Sequence, residues 1–209
     1  MKTGNARKNE QKESDDFVSD EMKETNGKKV PNQKKAVIKE IISWVIVVVS
    51  AIVIGLVLNR CVIFKAEIPS GSMENTLLVN DRIIGNRLAY TFSNPKRGDI
   101  IMFDLPDDES MLYIKRIIGL PGERVEIIQG KVYINGSTEP LNEPYLKEEP
   151  DKENFGPYDI PEGCYFVMGD NRNYSQDARY WEKKYVPKEN IRCKAVFRYK
   201  PYARIGFVK

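Results

Sequence analysis

The chain has 209 residues, a net charge of +3 and no histidine. The lack of histidine excludes a Ser-His-Asp triad, a Cys-His dyad and the commonest catalytic metal ligand. Residues 1–40 carry a net charge of +2 and the other 169 residues carry +1. A nearly neutral body argues against a nucleic-acid-binding protein, which needs a basic face.

The N-terminal part of the chain divides into a polar tail and an apolar run. Residues 1–35 are rich in charged and polar residues and predict a flexible tail. Residues 41–58 carry no charge and have the length of one transmembrane helix, which we place at 36–60. A cleavable signal peptide is a competing interpretation, but the run is long for one and begins deep in the chain. A buried core helix is another, but this run is apolar on every face.

Positive charges around the apolar run indicate its orientation. Five lysines precede it, at positions 28, 29, 34, 35 and 39, whereas only Arg60 and Lys65 follow closely. The excess of positive charge on the cytoplasmic side of membrane proteins predicts a cytoplasmic N-terminus and an extracytoplasmic body.

Residues 61–209 predict one mostly β domain. Runs rich in β-branched and aromatic residues occur at 112–118, 124–128, 132–134, 165–168 and 192–199. Hairpin turns are expected at 129–130 (Gln-Gly) and 135–136 (Asn-Gly). Residues 136–163 are polar and predict a long connection or a minor subdomain.

The three cysteines give no metal or redox motif, because none lies in a C-x-x-C pair. A Cys164–Cys193 disulfide stays open as a possibility if the domain lies outside the cell, and Cys61 then has no partner.

A compact turn at residues 68–73 (IPSGSM) is a candidate nucleophile site. Pro69 fixes the approach and Gly71 permits backbone angles that other residues avoid. Ser72 would attack, and its own N–H and the Ser70 hydroxyl would stabilise an oxyanion. By pattern alone, such a segment is more often merely a turn.

Without histidine, a serine nucleophile needs another base, and a lysine serves if burial lowers its pKa towards neutrality. Lys115 lies in a predicted strand on the same face as Tyr113 and Ile117, while Arg116 points the other way. That apolar face suits a neutral amine. The alternative is a lysine that extends to solvent from an ordinary strand.

Together these segments resemble the bacterial type I signal peptidases. The resemblance covers residues 36–200 and includes the apolar run and four blocks in the family's order, at 68–77, 97–103, 113–123 and 168–181. The third and fourth blocks are long and specific. The short stretch between them and the single N-terminal span are similar to the compact forms of Gram-positive bacteria.

The resemblance implies a domain of antiparallel β-sheets and a serine endopeptidase that removes signal peptides through an acyl-enzyme. It implies Ser72 as nucleophile, Lys115 as general base, Ser70 as second oxyanion donor and Ser175 as the hydroxyl that orients the lysine amine. It also implies a structural ion pair of Asp177 with Arg179 and a structural role for Asp170. Shallow apolar subsites would be formed by Ile68, Met73, Leu77, Tyr113 and Ile114.

The implied partners are preproteins with signal peptides and the lipid bilayer, with the secretion translocon as a further candidate. No metal or organic cofactor and no nucleic acid is implied. Ser72 lies fourteen positions after Leu58, a stretch that spans at most about 50 Å, which predicts a site close to the outer membrane surface. Signal peptides end in an A-x-A-like motif that would emerge at this level.

Two positions depart from the family's usual pattern, since Asn75 stands in place of Pro and Glu182 in place of Gly. Neither supplies a reacting group. Three alternatives stay open: a Ser-Lys self-cleaving repressor-type protease, which is a soluble class, a catalytically silent membrane-tethered relative, and a peptidase dedicated to one pathway such as pilin processing.

Overall fold

The computed structural model describes residues 33–209, so the predicted tail lies outside the described residues over positions 1–32. Helix α1 spans Gln33–Cys61 and contains the uncharged run 41–58. Its apolar side chains are exposed at successive positions, with Trp44 65% exposed. Within the described part of the chain, this is the one helix long and apolar enough to cross a membrane, over Val37–Cys61.

The remainder of the described chain is an antiparallel β structure, so the predicted fold class is confirmed. The larger sheet has eight strands: β1 (Ile63–Glu67), β2 (Arg82–Asn86), β3 (Ile100–Leu105), β4 (Asp108–Gly119), β8 (Cys164–Met168), β9 (Val186–Pro187), β10 (Ile191–Lys200) and β11 (Gly206–Phe207). Seven of them follow one another in the order β1-β2-β10-β3-β4-β8-β9, and β11 also pairs with β10.

A smaller three-stranded sheet has the order β6-β5-β7, with β5 (Arg124–Ile128), β6 (Lys131–Ile134) and β7 (Phe155–Asp159). Gln129 and Gly130 both have positive φ and join β5 to β6 as a two-residue hairpin, as predicted. Asn135 and Gly136 also form a tight turn, closed by a bond from the Ser137 N–H to the Ile134 carbonyl. That turn leads into a long connection instead of a paired strand.

The five predicted strands are all present, within β4, β5, β6, β8 and β10. Six further strands were not predicted: β1, β2, β3, β7, β9 and β11. Of these, β3 is buried at five of its six positions because it lies between β10 and β4 in the sheet. Its sequence, apolar at every position except Asp104, therefore lacks the alternation that marks a half-exposed strand.

Two buried clusters form the core of the β domain. The larger one joins β3, β4 and β8 to the smaller sheet, and includes Phe103, Phe166 and Trp181. The second packs the segment around Ser72 against β2, β3 and β10, and contains Met73 and Leu77. The segment that carries the candidate nucleophile is therefore anchored by buried apolar side chains.

The three cysteines are all unpaired thiols, so the Cys164–Cys193 disulfide is not present. Cys193 is buried against Gly85 and Met102, and burial raises the pKa of its thiol to about 12. A thiol with so high a pKa is a poor nucleophile at neutral pH.

Candidate active site

Ser72 lies in a single 3-10 turn, Gly71–Met73, that follows β1. Two main-chain bonds tie the entry to this turn, from the Ile68 N–H to the Asp81 carbonyl and from the Asn80 N–H to the Ile68 carbonyl, both 2.9 Å long. Ser72 is buried and Met73 is fully buried. Gly71 does not adopt a positive φ. A side chain there would instead approach the Glu74 carboxylate at 2.9 Å.

Lys115 extends from β4 towards this turn, and its Nζ lies 2.7 Å from the Ser72 Oγ. The strand alternation holds, because the Lys115 Nζ lies 5.3 Å from the centre of the Tyr113 ring and Arg116 makes its contacts elsewhere. Lys115 is only 4% exposed. Burial lowers the pKa of its amine from 10.5 to about 8, although the carboxylates of Asp177 and Asp170 oppose the shift.

The two accessory hydroxyls lie beside the pair with different contacts. Ser70 is exposed and its Oγ lies 3.5 Å from the Ser72 Oγ. The Ser175 Oγ is buried and has no hydrogen-bond partner, so the predicted bond to Lys115 is not formed in this structure. Ser175 packs over Gly169, where an added Cβ would lie 2.3 Å from the Ser175 Oγ and 2.4 Å from the Ser72 carbonyl oxygen.

Buried ion pairs hold the segments around the site in place. Asp170 accepts hydrogen bonds from Arg116 at 2.7 and 2.8 Å and from the Thr76 hydroxyl at 2.5 Å. Asp177 and Arg179, predicted to pair, lie 2.8 Å apart, and Asp177 also accepts a bond from the Gly169 N–H at 3.0 Å. These contacts fix β4 and the 169–179 segment relative to each other.

A third buried pair attaches the 137–154 connection to the same region. Glu143 accepts bonds from the Arg172 guanidinium and, at 2.7 Å, from the Tyr145 hydroxyl. The Arg116 guanidinium in turn lies over the Tyr145 ring, with its central carbon 4.0 Å from the ring centre. The polar segment that the sequence left without a role is thus packed against the residues that hold the site.

Ser72 and Lys115 line an open cleft of about 360 Å³. Tyr113 and Ile114, predicted as subsite residues, line it. The other three, Ile68, Met73 and Leu77, are buried in the second core cluster and do not line the cleft. Cleft residues that the sequence did not indicate are Pro69, Met111, Leu112, Tyr174 and Gln176.

Two residues of the fourth block contact the 68–73 turn, and no local sequence pattern separates them from their neighbours. Gly169 has no side chain and so leaves room for the Ser175 hydroxyl and the Ser72 carbonyl, which approach it closely. Asn171 donates from its side chain to the Gly71 carbonyl at 2.9 Å and from its N–H to the Ser72 carbonyl at 3.1 Å. Among the described residues, no group of three or more Asp, Glu or Cys side chains is placed to hold a metal ion.

Comparison with known proteins identifies the family. The sequence profile described as "Signal peptidase, peptidase S26" matches residues 41–200. A signal peptidase I of Leptolyngbya laminosa is 43% identical over 163 residues, which cover 75% of this chain and 78% of the relative. This chain belongs to the type I signal peptidases.

Three other type I signal peptidases are also similar to this chain. A probable signal peptidase I-2 of Synechocystis is 39% identical over 77% of this chain and 73% of its own length. A signal peptidase I of Bacillus licheniformis is 38% identical over 65% and 76%. The identity to the Leptolyngbya and Synechocystis proteins is at least as high as that to the Bacillus protein, so it does not single out the Gram-positive form. A crystal structure of a signal peptidase I from Enterococcus faecalis V583 aligns over 49% of this chain and 97% of its own, with 35% identity and a TM-score of 0.42.

Proposed function

We propose that this signal peptidase is a membrane-bound endopeptidase that releases signal peptides from secreted preproteins, with Ser72 as nucleophile and Lys115 as general base. The observation that carries the proposal is the 2.7 Å separation of the Lys115 Nζ and the Ser72 Oγ, two residues that line one cleft. A nucleophile and its base need to be within hydrogen-bonding reach of each other.

The low pKa of Lys115 suits it to this role. With a pKa of about 8, about one amine in ten is neutral at pH 7. A lysine of ordinary pKa would be neutral in only about one molecule in three thousand. Burial therefore raises the population of the reactive form by more than two orders of magnitude.

The chemistry proceeds in two steps. The Ser72 hydroxyl donates its proton to the neutral Lys115 amine as its oxygen attacks the scissile carbonyl carbon. The tetrahedral oxyanion is stabilised by the Ser72 N–H and the Ser70 hydroxyl. When the C–N bond breaks, the leaving amine takes the proton from Lys115 and the signal peptide remains as an ester on Ser72. Water then gives a proton to Lys115 and attacks the ester, and the proton returns to the Ser72 oxygen.

The cleft and the helix together favour signal peptides as substrates. The cleft is open and partly apolar, and Tyr113 and Ile114 present apolar groups beside the dyad. Small side chains before the cut, as in A-x-A-like sites, suit such a shallow wall. The apolar helix α1 would hold the enzyme in the bilayer, where signal peptides also insert.

The orientation proposed is a cytoplasmic N-terminus and an extracytoplasmic catalytic domain. This orientation is supported by the lysines that precede the apolar run and by the small number of positive residues that follow it. In this orientation the domain faces preproteins that have been delivered across the membrane by the secretion translocon.

Cleavage of a purified preprotein by the detergent-solubilised full chain tests the dyad. Ser72→Ala and Lys115→Met are expected to lower kcat/KM by at least about 10³-fold, because each removes a reacting group. Lys131→Ala, which removes an exposed lysine from strand β6, is the matched control and keeps full activity. Full activity in Lys115→Met would remove Lys115 from the mechanism.

A further inference from the structure

The peptide unit between Gly71 and Ser72 determines where one of the proposed oxyanion donors points. A trans peptide is planar, and its C=O and N–H point in opposite directions. The direction of the Ser72 N–H is therefore fixed by whatever holds the Gly71 carbonyl. An oxyanion donor acts only when it is aimed at the place where the charge develops.

Two hydrogen bonds hold that carbonyl. The Glu74 N–H donates to it at 3.1 Å within the turn, and the Asn171 Nδ2 donates to it at 2.9 Å from a segment one hundred positions away. The main-chain N–H of Asn171 donates to the next carbonyl, that of Ser72, at 3.1 Å. Asn171 therefore holds the carbonyl groups on both sides of the Ser72 Cα.

Asn171 is itself rigidly placed. It is 2% exposed and its carbonyl accepts a bond from the Tyr174 N–H at 3.0 Å. Its neighbour Asp170 binds Arg116, which directly follows Lys115 in β4. The same segment thus fixes the strand of the proposed base and the peptide unit of the proposed oxyanion donor.

The other end of the Asn171 amide indicates why an amide occupies this place. Its Oδ1 is buried and has no hydrogen-bond partner. A buried polar atom without a partner is unfavourable, so an apolar side chain would serve better if the position only filled space. The contact that requires an amide is the one from Nδ2 to the Gly71 carbonyl.

We infer that Asn171 is a positioning residue for the oxyanion site: it fixes the plane of the Gly71–Ser72 peptide and, by donating to its carbonyl, strengthens the Ser72 N–H as a donor. The second effect follows because hydrogen bonds in a chain polarise one another. This inference rests on the proposed role of Ser72 as nucleophile.

Two substitutions in the full chain test this inference. Asn171→Ala removes the donor, and Asn171→Leu removes it while keeping most of the volume. Both are expected to lower kcat by about 10- to 100-fold, somewhat less than the 10²- to 10³-fold typical for loss of an oxyanion donor itself. The KM should change by less than about twofold, because the uncleaved substrate makes no use of the oxyanion site.

A binding ratio separates positioning from general damage. A peptide boronic acid forms a tetrahedral adduct with Ser72, whereas a peptide with a reduced scissile bond binds without one. We expect the Asn171 variants to lose about 10- to 100-fold in affinity for the boronate and to keep their affinity for the reduced peptide. Partial unfolding of a variant lowers both apparent affinities by the same factor, so their ratio stays informative. If Asn171→Ala does not fold, Asn171→Leu provides the test.

Asn173→Ala is the matched control. Asn173 lies two positions further on, and its side chain contacts Glu148, Glu149 and Asp151 instead of the nucleophile turn. It should leave kcat and the binding ratio unchanged. An unchanged ratio in both Asn171 variants would overturn this inference alone, whereas normal cleavage by Ser72→Ala or Lys115→Met would overturn the proposed function.

Discussion

In the proposed mechanism the chemistry depends on Lys115, and the burial of this residue has a cost in stability that can be measured. Its pKa is lowered from 10.5 to about 8 by burial. An amine whose pKa is lower in the folded than in the unfolded state destabilises the fold at every pH below the folded pKa. The destabilisation disappears as pH rises from about 8 to 10.5, where the unfolded chain also loses the proton.

Lys115→Met should therefore stabilise the protein at neutral pH. At about 1.4 kcal/mol for each pKa unit, the expected gain in the free energy of unfolding at pH 7 is up to about 3 kcal/mol. The gain should shrink between pH 8 and 10.5. Chemical denaturation of the full chain in detergent measures it. A gain that is independent of pH, or no gain, would contradict burial of a charged amine.

Sequence reasoning found Lys115 because a strand places alternate residues on one face, and the family blocks then assigned its role. Asn171 and Gly169 belong to the same blocks, but their roles depend on contacts with residues about one hundred positions away. Such contacts leave no local pattern. The predicted subsite residues Ile68, Met73 and Leu77 lie in the core because the turn that carries Ser72 needs apolar anchors of its own.

At the scale of elements, the site is a junction between three pieces: the 68–73 turn, strand β4 and the 169–179 segment. The strands that alternate or end in Gly-containing turns, such as β5 and β6, could be predicted from the sequence. The short strands β1, β2 and β7 could not, because their sequences mix polar and apolar residues without a clear period. Strand β3 was missed because it is buried on both faces.

Gly169 shows how closely these pieces approach. An added Cβ would lie within 2.4 Å of the Ser175 Oγ and the Ser72 carbonyl, so Gly169→Ala should displace one of them. We expect about a 10²-fold loss of kcat/KM, as for small misplacements of catalytic groups, and a stability cost of about 1–3 kcal/mol. Gly206→Ala, with open space around it, is the control and should change neither. Normal activity in Gly169→Ala would mean that the turn tolerates displacement.

The buried pair of Glu143 with Arg172 should matter more than an exposed pair of the same type. The Glu143 and Arg172 side chains are at most 5% exposed, whereas those of Arg124 and Asp159 are more than 50% exposed. Glu143→Gln should cost about 3–5 kcal/mol in unfolding free energy because it leaves a buried guanidinium uncompensated. Asp159→Asn should cost less than about 1 kcal/mol. Equal costs would show that the 137–154 connection is not anchored by this pair.

At the scale of the whole molecule, the chain combines an apolar helix with a β domain, as the uncharged run and the short β-rich segments of its sequence predicted. The helix could be recognised from length and lack of charge alone, because no other element in a protein of this size needs 18 consecutive uncharged residues of this kind. The assembly of two antiparallel sheets, by contrast, depends on strand pairings far apart in sequence. The resemblance implied antiparallel sheets without saying which strands pair, and the pairings came from the structure.

The proposed orientation gives a prediction at this scale. In spheroplasts of a bacterial host, an impermeant protease should degrade the β domain and spare an epitope placed at the N-terminus. The physical reason is the excess of lysine before the apolar run. Protection of the β domain together with loss of the N-terminal epitope would reverse the proposed topology. Lysis of the spheroplasts should expose both parts and serves as the control.

The pH dependence of kcat/KM tests the Ser72–Lys115 pair most directly. Only the neutral amine can accept the Ser72 proton, so activity should fall tenfold for each pH unit below the pKa of Lys115 and level off above it. Because this pKa is about 8, the acidic limb of the profile, where activity falls, should begin near pH 8. A preprotein with no titrating group near its cleavage site should be assayed from pH 6 to 10. A limb near pH 8 supports the account, whereas a flat profile over this range, or a limb near 10.5, would contradict it.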